Sequence, residues 1–311
     1  MTRTVAEAEQ FVHPALFYRG EQQYLAGTVP FVLEGLAAGE PVAVAAPPER
    51  LQMIKNGLGE QAGQVHFVDM TQAGRNPGRI IPNILRRFAD AHTTGRVRII
   101  GEPIWPGRTS TEYPACVQHE ALINAAFTGR AVTILCPYDA EGLAPQVLED
   151  AWATHPLVID EDGGKTSAAY QWETVVARYN QALPVPPQAE TASFHGSGEL
   201  HEVREFAVLC GKRLGLDGRQ LQDLELAVAE LTTNSVIHGA GGGTLRIWSE
   251  DEQVVCEVHD AGRLADPLAG RRPQAPGRPG GRGLLLVNHV ADLVRIHTSQ
   301  DGTTIRFYLS R

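Results

Sequence analysis

Helical and strand-like patterns alternate four times in the first half of the chain, and this order constrains the fold more than any other feature. Helical spacing over residues 21–36, 50–58, 80–92 and 113–127 is followed each time by a short apolar run: PVAVAAP, QVHFVDM, VRIIGEP and AVTILCPYD. Helix-to-strand repeats require crossover connections, which make neighbouring strands parallel and place helices on both faces of the sheet. The first half therefore predicts an α/β fold with a mostly parallel sheet.

The second half has a different order of elements. Residues 200–214 and 221–238 are helical, and the strand-like runs TLRIWSE and VVCEVHD follow them; a helix over 284–290 then precedes VRIHTSQ and TIRFYLS. Asp301-Gly302, between the last two runs, is a strong hairpin signal. This order predicts helices packed over one largely antiparallel sheet, which is an α/β sandwich.

A segment rich in Pro, Ala, Ser and Gly lies between the two halves, at residues 182–198. Such a composition is typical of linkers, so we expect one domain over residues 1–181 and a second over 199–311. The apolar runs are far too short to span a bilayer, and the polar start MTRTVAEAEQ lacks the apolar core of a signal peptide. These features favour a cytoplasmic protein that does not enter the membrane.

Four cysteines are scattered along the chain without a Cys-x-x-Cys pair, at Cys116, Cys136, Cys210 and Cys256. Their spacing fits reduced thiols that are packed in the core. A zinc site built from Cys116, His119 and Cys136 is the alternative, and we favour the packed thiols.

The formal charge of −9 argues against nucleic acid as a direct partner. The local balance reverses over residues 263–282, where five arginines face a single acidic residue, Asp266. A basic segment in an acidic protein predicts one confined anionic ligand, and a polar loop of this length is commonly functional.

A stripe of polar side chains runs along one helix in AVAELTTNSVIHGAGGG, residues 227–243. Glu230, Asn234 and His238 stand four residues apart, a little more than one helical turn, and so share a face. The amide oxygen of Asn234 suits Mg²⁺ that keeps waters and phosphate oxygens as its other ligands. The carboxylate of Glu230, one turn earlier, can orient or deprotonate a hydroxyl near a terminal phosphate. The stripe predicts a site for a metal-bound nucleotide.

Two further motifs supply the remaining parts of such a site. Asp260 ends a strand and is followed by Gly262, so its carboxylate can accept a hydrogen bond from the exocyclic amine of a base. Residues 280–283, GGRG, open a helix whose first N–H groups favour phosphate. A cation ligand, a reader of the base and donors for the phosphates are therefore present in one half of the chain.

Taken in order, these motifs resemble those of the GHKL ATPase superfamily, and within it the anti-sigma-factor serine/threonine kinases. The matching pieces are Glu230-x3-Asn234-x3-His238-Gly239 for the N box, Asp260-x-Gly262 for the first glycine box, Gly281-Arg282-Gly283-Leu284 for the second and Gly302-Thr303-Thr304 for the closing box. The resemblance implies a Bergerat ATP-binding fold over about residues 196–311, with residues 263–281 as the ATP lid.

The resemblance implies ATP and Mg²⁺ as cofactors, with Glu230 as general base, Asn234 on the metal ion, and Asp260 on adenine. The residues expected to contact the nucleotide are Asn234, His238, Asp260, Gly262, Arg278, Gly281, Arg282, Gly283, Leu284, Thr303 and Thr304. Two positions depart from the family pattern: Leu264 stands where the first glycine box usually has a second glycine, and Pro279 stands near where the kinases tend to have an arginine. These departures leave open a module that binds ATP without transferring phosphate.

The first half resembles the MEDS sensory domain. The matching pieces, over about residues 11–160, are HPALFY at 13–18, G-x3-GE at 35–40, GE-x2-W at 101–105, E-x3-N at 120–124 and CPYD at 136–139. The resemblance implies a RecA-like parallel sheet without its phosphate loop. The run GGKT at 163–166 does not supply that loop, because Ile159 stands where the motif requires a glycine.

Open α/β sheets bind ligands beyond the carboxyl ends of their strands, and several of the matching residues fall there. The residues expected at a small-molecule or partner site are His13, Tyr18, Glu102, Trp105, Glu120, Tyr138 and Asp139. The alternative is that these residues only hold loops together.

The two-part architecture resembles the RsbA-like regulators of actinobacterial stress responses. It implies an anti-sigma factor that binds ATP·Mg²⁺ and phosphorylates a serine or threonine of a STAS anti-anti-sigma partner, under control of the sensory domain. The alternatives are a non-catalytic, ATP-gated anti-sigma scaffold and a histidine kinase. The histidine kinase is disfavoured because Pro184, Pro186 and Pro187 interrupt the helical hairpin it would need before the ATPase module. Related modules often dimerise, so a homodimer is left open.

Overall fold

The computed structural model describes residues 10–273 and 281–311, and the chain divides into two compact units, Met1–Tyr179 and Asn180–Arg311. Each unit is built around its own sheet. Arg278, which is expected at the nucleotide, lies outside the described residues. Within the described ranges, no helix combines the length and the apolar character that a membrane span needs.

The first unit contains a seven-stranded sheet in the order β3-β2-β4-β5-β1-β6-β7. Its strands are β1 (Pro14–Tyr18), β2 (Val42–Ala46), β3 (His66–Asp69), β4 (Val97–Gly101), β5 (Val132–Asp139), β6 (Leu157–Asp160) and β7 (Gly163–Thr166). Every neighbouring pair is parallel except β6 and β7. The predicted α/β fold with a mostly parallel sheet is confirmed.

Helices connect these strands and pack on the sheet. They are α1 (Gly20–Ala37), α2 (Pro48–Leu58), α3 (Met70–Ala73), α4 (Arg87–Ala91), α5 (Tyr113–Ala126), α6 (Pro145–Thr154) and α7 (Trp172–Arg178), with 3₁₀ turns at Gly59–Gln64 and Pro77–Arg79 and a π-helical turn at Ile81–Arg86. Tyr24 of α1 and Ile54 of α2 share a core with apolar residues of β2, β4 and β5. Helix α5 is buried along nearly its whole length, as expected for a helix between a sheet and other helices.

Two strands of this sheet were not expected from the sequence. β1 lies in the interior of the sheet, between β5 and β6. Its only proline, Pro14, is its first residue, a position that proline can occupy in an interior strand. β7 is the run GGKT, which folds back on β6. The Lys165 ammonium donates to Asp160 at 2.8 Å and to Asp162 at 3.0 Å, so this lysine is engaged by carboxylates.

The second unit contains a five-stranded antiparallel sheet in the order β11-β12-β10-β9-β8. Its elements are β8 (Glu190–His195), a 3₁₀ turn at Ser197–Glu199, α8 (Leu200–Arg213), α9 (Gly218–His238), β9 (Gly242–Glu250), β10 (Gln253–Asp260), α10 (Gly283–Val290), β11 (Leu293–Ser299) and β12 (Gly302–Ser310). The predicted α/β sandwich is confirmed, and the chain turns from β11 into β12 at the expected Asp301-Gly302.

The predicted linker over residues 182–198 contains an element of the second unit, because its later part forms the edge strand β8. This strand pairs antiparallel with β9, and its Phe194 is fully buried in the core. Its residues, ETASFH, are mostly small or polar, and an edge strand of this kind needs only one apolar face. For that reason the composition resembles that of a linker.

Three helices and one face of this sheet share a single core. Val203 of α8, Leu231 of α9 and Val287 of α10 belong to the same buried cluster as Phe194 and Phe307 of the strands. At about 25 cal/mol per Å² of apolar surface removed from water, such burial is the main favourable term for the unit. The position of α9 and α10 on the sheet is therefore set by packing.

The opposite face of the sheet carries a buried charge cluster. Glu257 of β10 is completely buried, and its Oε2 accepts from Arg306 Nε at 3.0 Å and Nη2 at 2.7 Å. Its Oε1 accepts from Arg246 Nη1 at 2.8 Å. Arg306 also donates to the carbonyl oxygens of Leu183 and Pro184, which holds the chain before β8 against the sheet.

We expect Glu257→Ala to lower the free energy of unfolding by about 3–5 kcal/mol, because it leaves the buried Arg306 charge without its carboxylate. Scanning calorimetry of the full chain measures this loss. The control is Asp223→Ala, which breaks an ion pair of 3.7 Å with the exposed Arg219 and should cost less than about 1 kcal/mol. Equal losses in the two variants would contradict the structural role of Glu257.

Candidate functional site

A pocket of about 630 Å³ opens in the second unit, between the ends of α9 and β10 and the starts of β12 and α10. Its volume falls within the range of about 300–1,000 Å³ that is usual for small-molecule sites. The expected residues that line it are Asn234, His238, Asp260, Gly262, Gly281, Gly283, Leu284 and Thr303. Residues from all four motifs therefore meet at one pocket.

Asp260, the last residue of β10, has both carboxylate oxygens in hydrogen bonds. Its Oδ2 accepts from the Ser235 hydroxyl at 2.6 Å, and its Oδ1 accepts from the Gly262 N–H at 2.8 Å. These bonds fix the carboxylate between α9 and the chain that leaves β10. Because an ionised carboxylate has about four acceptor sites, Asp260 can still accept a hydrogen bond from a ligand in this fixed orientation.

Thr303 holds the chain beside the pocket. It pairs with Asp260 across β10 and β12, and its hydroxyl donates to the Gly262 carbonyl oxygen at 2.8 Å. The same hydroxyl accepts from the Leu264 N–H at 3.1 Å and lies 3.0 Å from the Thr298 hydroxyl. These hydrogen bonds thus connect the backbone from Gly262 to Leu264 to the start of β12.

Two glycines are required by the close approach of other groups. A Cβ on Gly262 would stand 2.5 Å from the His238 carbonyl oxygen. A Cβ on Gly283 would stand 2.6 Å from Glu230 Oε2 and 3.2 Å from Asn234 Nδ2. The start of α10 therefore lies directly against the polar stripe of α9, and the missing side chain of Gly283 leaves a cradle between them.

The N-terminus of α10 faces this cradle without a side-chain cap. Its N-cap residue, Arg282, makes no capping hydrogen bond among the described residues. The first N–H groups of a helix lack partners within the helix, and with the helix dipole they favour an anion. The amide of Asn234 lies at the same cradle, so the residues present fit a phosphate group that carries Mg²⁺.

Three of the expected residues do not line the pocket. Glu230 reaches the cradle beside Gly283 but does not form part of the pocket wall. Arg282 is exposed at the start of α10. Thr304 points to the opposite face of β12, because successive strand residues alternate, and its hydroxyl lies 3.0 Å from His259 Nδ1.

Sequence reasoning missed Ser235, the hydrogen-bond donor to Asp260. Ser235 continues the buried stripe of α9 that runs through Leu224, Val228 and Leu231. A hydroxyl on the core side of a helix needs a hydrogen-bond partner. That requirement is the signal that could have pointed to a polar group at the adjacent strand end.

The first part of the predicted ATP lid is anchored to the unit. Leu264 packs against the core cluster, and Leu268 is buried. Asn288 of α10 donates to the Gly270 carbonyl oxygen at 3.1 Å. The position where the family has its second glycine is therefore held by an apolar side chain and by the hydrogen bond from its N–H to Thr303.

Residues at the carboxyl ends of β1 and β5 and just after β4 converge in the first unit. The Tyr24 hydroxyl donates to Glu102 Oε2 at 3.2 Å, and the Arg50 guanidinium lies over the rings of Tyr18 and Tyr24. Arg50 also donates to Asp139 Oδ2 at 3.3 Å. Three expected residues, Tyr18, Glu102 and Asp139, thus lie together with Tyr24 and Arg50, which sequence reasoning missed.

The carboxyl group of Glu102 is only 2% exposed. Burial raises the pKa of Glu102 from 4.5 to about 8, although the nearby Arg50 charge acts in the opposite direction. Burial also raises the pKa of Tyr24, with Glu102 adding to the effect. A neutral acid beside two tyrosines and one guanidinium gives the first unit a polar cluster at the edge where open sheets bind ligands.

The other expected sensory residues lie outside this cluster. Trp105 stacks on the Arg108 guanidinium at 3.9 Å. Tyr138 alternates away from Asp139 on β5, and its ring meets those of Phe17 and His155 edge-on.

His13 and Glu120 belong to a second buried cluster, which also contains Cys136. The zinc site considered from the sequence is not formed, because Cys116 and His119 belong to no group of potential metal ligands among the described residues. The reason is topological: the partners of Cys136 come from distant parts of the chain and not from one helix.

Two family models match this chain. Residues 12–156 match MEDS, the methanogen/methylotroph, DcmR sensory domain, and residues 197–309 match the histidine kinase-like ATPase domain. The chain therefore carries an N-terminal MEDS domain and a C-terminal histidine kinase-like ATPase domain.

Among solved structures, the RsbU and RsbW domains of Rv1364c from Mycobacterium tuberculosis are similar at 19% identity and a TM-score of 0.30. The match covers 41% of this chain and 33% of the solved one. This chain therefore spans about a third of the length of the solved chain. No curated protein matches the chain.

We expect the stability of the first unit to fall as the pH rises from 4.5 to about 8. In this window the unfolded chain releases the Glu102 proton and the folded chain retains it, so unfolding becomes more favourable by up to about 1.4 kcal/mol per pH unit. Urea unfolding at several pH values, followed by tryptophan fluorescence, measures the slope; three of the four tryptophans lie in this unit. Glu102→Gln should flatten the decline, and an unchanged slope would refute the assignment to Glu102.

Proposed function

We propose that this chain is a cytoplasmic signalling regulator whose second unit binds ATP·Mg²⁺ and acts as an anti-sigma factor. The observation that carries the proposal is the convergence of Asn234, Asp260 and Thr303 with the N-terminus of α10 at one pocket of a histidine kinase-like ATPase domain. In this proposal the unit phosphorylates a serine or threonine of a STAS anti-anti-sigma partner, and the MEDS domain controls the reaction.

Each side chain at the pocket has a definite task in this proposal. Asp260, held by Ser235 and the Gly262 N–H, accepts a hydrogen bond from the exocyclic amine of adenine. The first N–H groups of α10 bind the phosphates. Asn234 would hold Mg²⁺, which when bound neutralises charge on the phosphate oxygens. Glu230, beside the cradle, accepts the proton of the attacking hydroxyl.

We propose a sigma factor and a STAS protein as partners because the order of the four motifs resembles that of the anti-sigma serine/threonine kinases. A histidine kinase would need a phospho-accepting helical hairpin directly before the ATPase domain. Here the segment before α8 forms the strand β8, so His195 lies in extended chain. His201 is an exposed residue of α8 whose Nε2 lies 3.4 Å from Glu205 Oε1, and a single helix does not make such a hairpin.

A non-catalytic, ATP-gated scaffold is the second candidate, and a specific observation favours it. Leu264 is anchored by its side chain and its N–H where the family pattern has a flexible glycine. Glu230 also lies outside the wall of the pocket. A lid fixed at its start would bind nucleotide and leave the terminal phosphate poorly enclosed for transfer.

Asn234→Ala should weaken Mg²⁺-dependent ATP binding at least about tenfold, because it removes the proposed metal ligand. Isothermal titration of the full chain with a non-hydrolysable ATP analogue, with and without Mg²⁺, measures the change. Gln222→Ala is the matched control, since it removes an exposed amide from the same helix. An affinity equal to that of the wild type would remove Asn234 from the site, and no nucleotide binding by the wild type would overturn both candidate functions.

Glu230→Ala separates the two candidates. If the unit is a kinase, the variant should bind ATP as the wild type does and transfer at least about a hundredfold less label to a STAS substrate. Glu225→Ala, which removes an exposed carboxylate from the same helix, should transfer label normally. Binding without transfer in the wild type would support the scaffold and exclude the kinase.

In this proposal the first unit acts on the pocket through Asn180, the first residue of the second unit. Asn180 follows directly after the first unit, its Nδ2 donates to the Thr298 carbonyl oxygen at 2.7 Å, and its Oδ1 accepts from the Thr298 N–H at 3.0 Å. The Thr298 hydroxyl in turn lies 3.0 Å from Thr303 and 3.3 Å from the Leu264 N. A displacement of Asn180 would therefore be transmitted to the start of the lid.

Asn180→Ala should weaken ATP binding about fivefold, because loss of roughly 1 kcal/mol of hydrogen bonding loosens the support of Thr303. The same titration measures it, with Asn56→Ala as the control, an exposed amide of the first unit whose Oδ1 accepts from Gln52 Nε2 at 2.8 Å. An Asn180→Ala affinity equal to that of Asn56→Ala would show that this route does not reach the pocket.

A further inference from the structure

Four side chains capable of binding a metal ion converge in the interior of the first unit. They are His13, just before β1; Glu120, in α5; Cys136, in β5; and His155, just after α6. One donor atom from each lies within 4.8 Å of the others, and all four residues are buried. We call this set the His-Glu-Cys-His cluster. Four separate elements contribute to it, so the tertiary fold alone creates it.

The hydrogen bonds around His13 settle which of its nitrogens carries the proton. Its Nδ1 lies 3.2 Å from Asn124 Oδ1. The amide group of Asn124 is oriented by its Nδ2, which donates to the Thr154 and Ala121 carbonyl oxygens at 2.9 and 3.1 Å. Oδ1 is therefore an acceptor, and His13 Nδ1 donates to it. In a neutral imidazole, Nε2 then carries a lone pair, and it points to the cluster.

His155 is arranged in the same way. Its Nδ1 lies 2.9 Å from the Ala151 carbonyl oxygen, which can only accept, so Nδ1 is the donor. Its Nε2 lies 3.1 Å from Glu120 Oε2. A histidine whose one nitrogen donates to a carbonyl or amide oxygen and whose other nitrogen faces a shared centre has the arrangement of a metal ligand.

Glu120 gives the independent sign that a cation belongs in this cluster. Both carboxylate oxygens are buried, and neither accepts a hydrogen bond from the residues that the structure describes. Its neighbours include the Nε2 atoms of His155 and His13, at 3.1 and 3.6 Å, and it also interacts with the Tyr138 hydroxyl and the Cys136 thiol. A buried carboxylate that accepts no well-aligned hydrogen bond carries a large desolvation cost, which a positive ion held between it and the two imidazoles would offset.

Three of the six distances between the donor atoms are close to the edges of a tetrahedral site. Zinc bonds of about 2.0–2.1 Å to nitrogen or oxygen and about 2.3 Å to sulfur require donor atoms about 3.3–3.6 Å apart. The observed separations are 3.1 Å for His155 Nε2 to Glu120 Oε2, 3.6 Å for His13 Nε2 to Glu120 Oε2, and 3.4 Å for Cys136 Sγ to His13 Nε2. All six separations are 4.8 Å or shorter, so the donor atoms would move closer together on binding an ion of this size.

We propose that the His-Glu-Cys-His cluster binds one borderline-soft divalent transition-metal ion, Zn²⁺ by preference, in a closed tetrahedral site. Two imidazoles and a thiolate select against Mg²⁺ and Ca²⁺, which prefer oxygen ligands. Four protein ligands leave no open position, so the ion stabilises the fold of the sensory unit and does not activate a water molecule. A pocket lined by His13, Asn124 and Phe11 lies beside the cluster and provides an entry path.

The test uses full-length protein without a histidine tag, stripped of metal with a chelator and kept free of nucleotide. Competition with a chromophoric chelator should show one tightly bound Zn²⁺ per chain, and zinc should raise the unfolding temperature. Co²⁺ in place of zinc should give the intense visible bands of tetrahedral cobalt and a near-ultraviolet thiolate-to-metal band. These wild-type measurements decide the proposal even where a variant fails to fold.

Variants assign the ligands. Cys136→Ser should abolish the thiolate band, and His155→Ala should lower zinc affinity more than about a hundredfold. Asn124→Ala, which removes the support of His13, should lower it about 10–100-fold. Cys116→Ser is the matched control, because this buried thiol lies on the helix of Glu120 and outside the cluster. Less than stoichiometric zinc in the wild type, a cobalt spectrum without the thiolate band, or equal effects of Cys116→Ser and Cys136→Ser would overturn the proposal.

Discussion

The hydrogen bond from Ser235 to Asp260 is the contact on which the geometry of the nucleotide pocket depends. It joins the last turn of α9 to the last residue of β10, so the polar stripe of the helix and the acceptor at the strand end face one space. Hydrogen bonds to a charged group contribute about 1.5–3 kcal/mol, which is enough to keep the carboxylate in one orientation. Packing sets the position of α9 on the sheet, and this bond then fixes the Asp260 carboxylate relative to the amide of Asn234, the proposed base reader and metal ligand.

Much of the second unit could be predicted because its long elements have unambiguous periods. The 21-residue α9 and the strands β10 and β12 carry their apolar residues at helical or alternating spacing. β8 could not be predicted, because it is short, mostly polar or small, and has one fully buried residue, Phe194. Its strand conformation is decided by pairing with β9 and not by its own residues, which is the usual way tertiary context overrides local propensity.

In the first unit, local sequence patterns could not predict which distant residues meet. His13 and Cys136 are 123 positions apart and meet because β1 inserts beside β5, and His155 meets them because β6 lies on the other side of β1. No local pattern specifies that strand order. In the sequence, a thiol and a histidine lie three residues apart on α5, at Cys116 and His119. The fold instead brings Cys136 together with potential ligands from other elements.

For three buried glutamates, the desolvation cost of the carboxylate is offset in different ways. Both oxygens of Glu257 accept hydrogen bonds from guanidinium groups, those of Arg246 and Arg306. Burial raises the pKa of Glu102 to about 8, so this group avoids the charge by keeping its proton. Neither oxygen of Glu120 accepts a well-aligned hydrogen bond from the described residues, and the imidazole nitrogens of His155 and His13 lie 3.1 and 3.6 Å from it. The cation that we propose would offset this cost, and a thiol with two imidazoles around that carboxylate favours a borderline-soft ion.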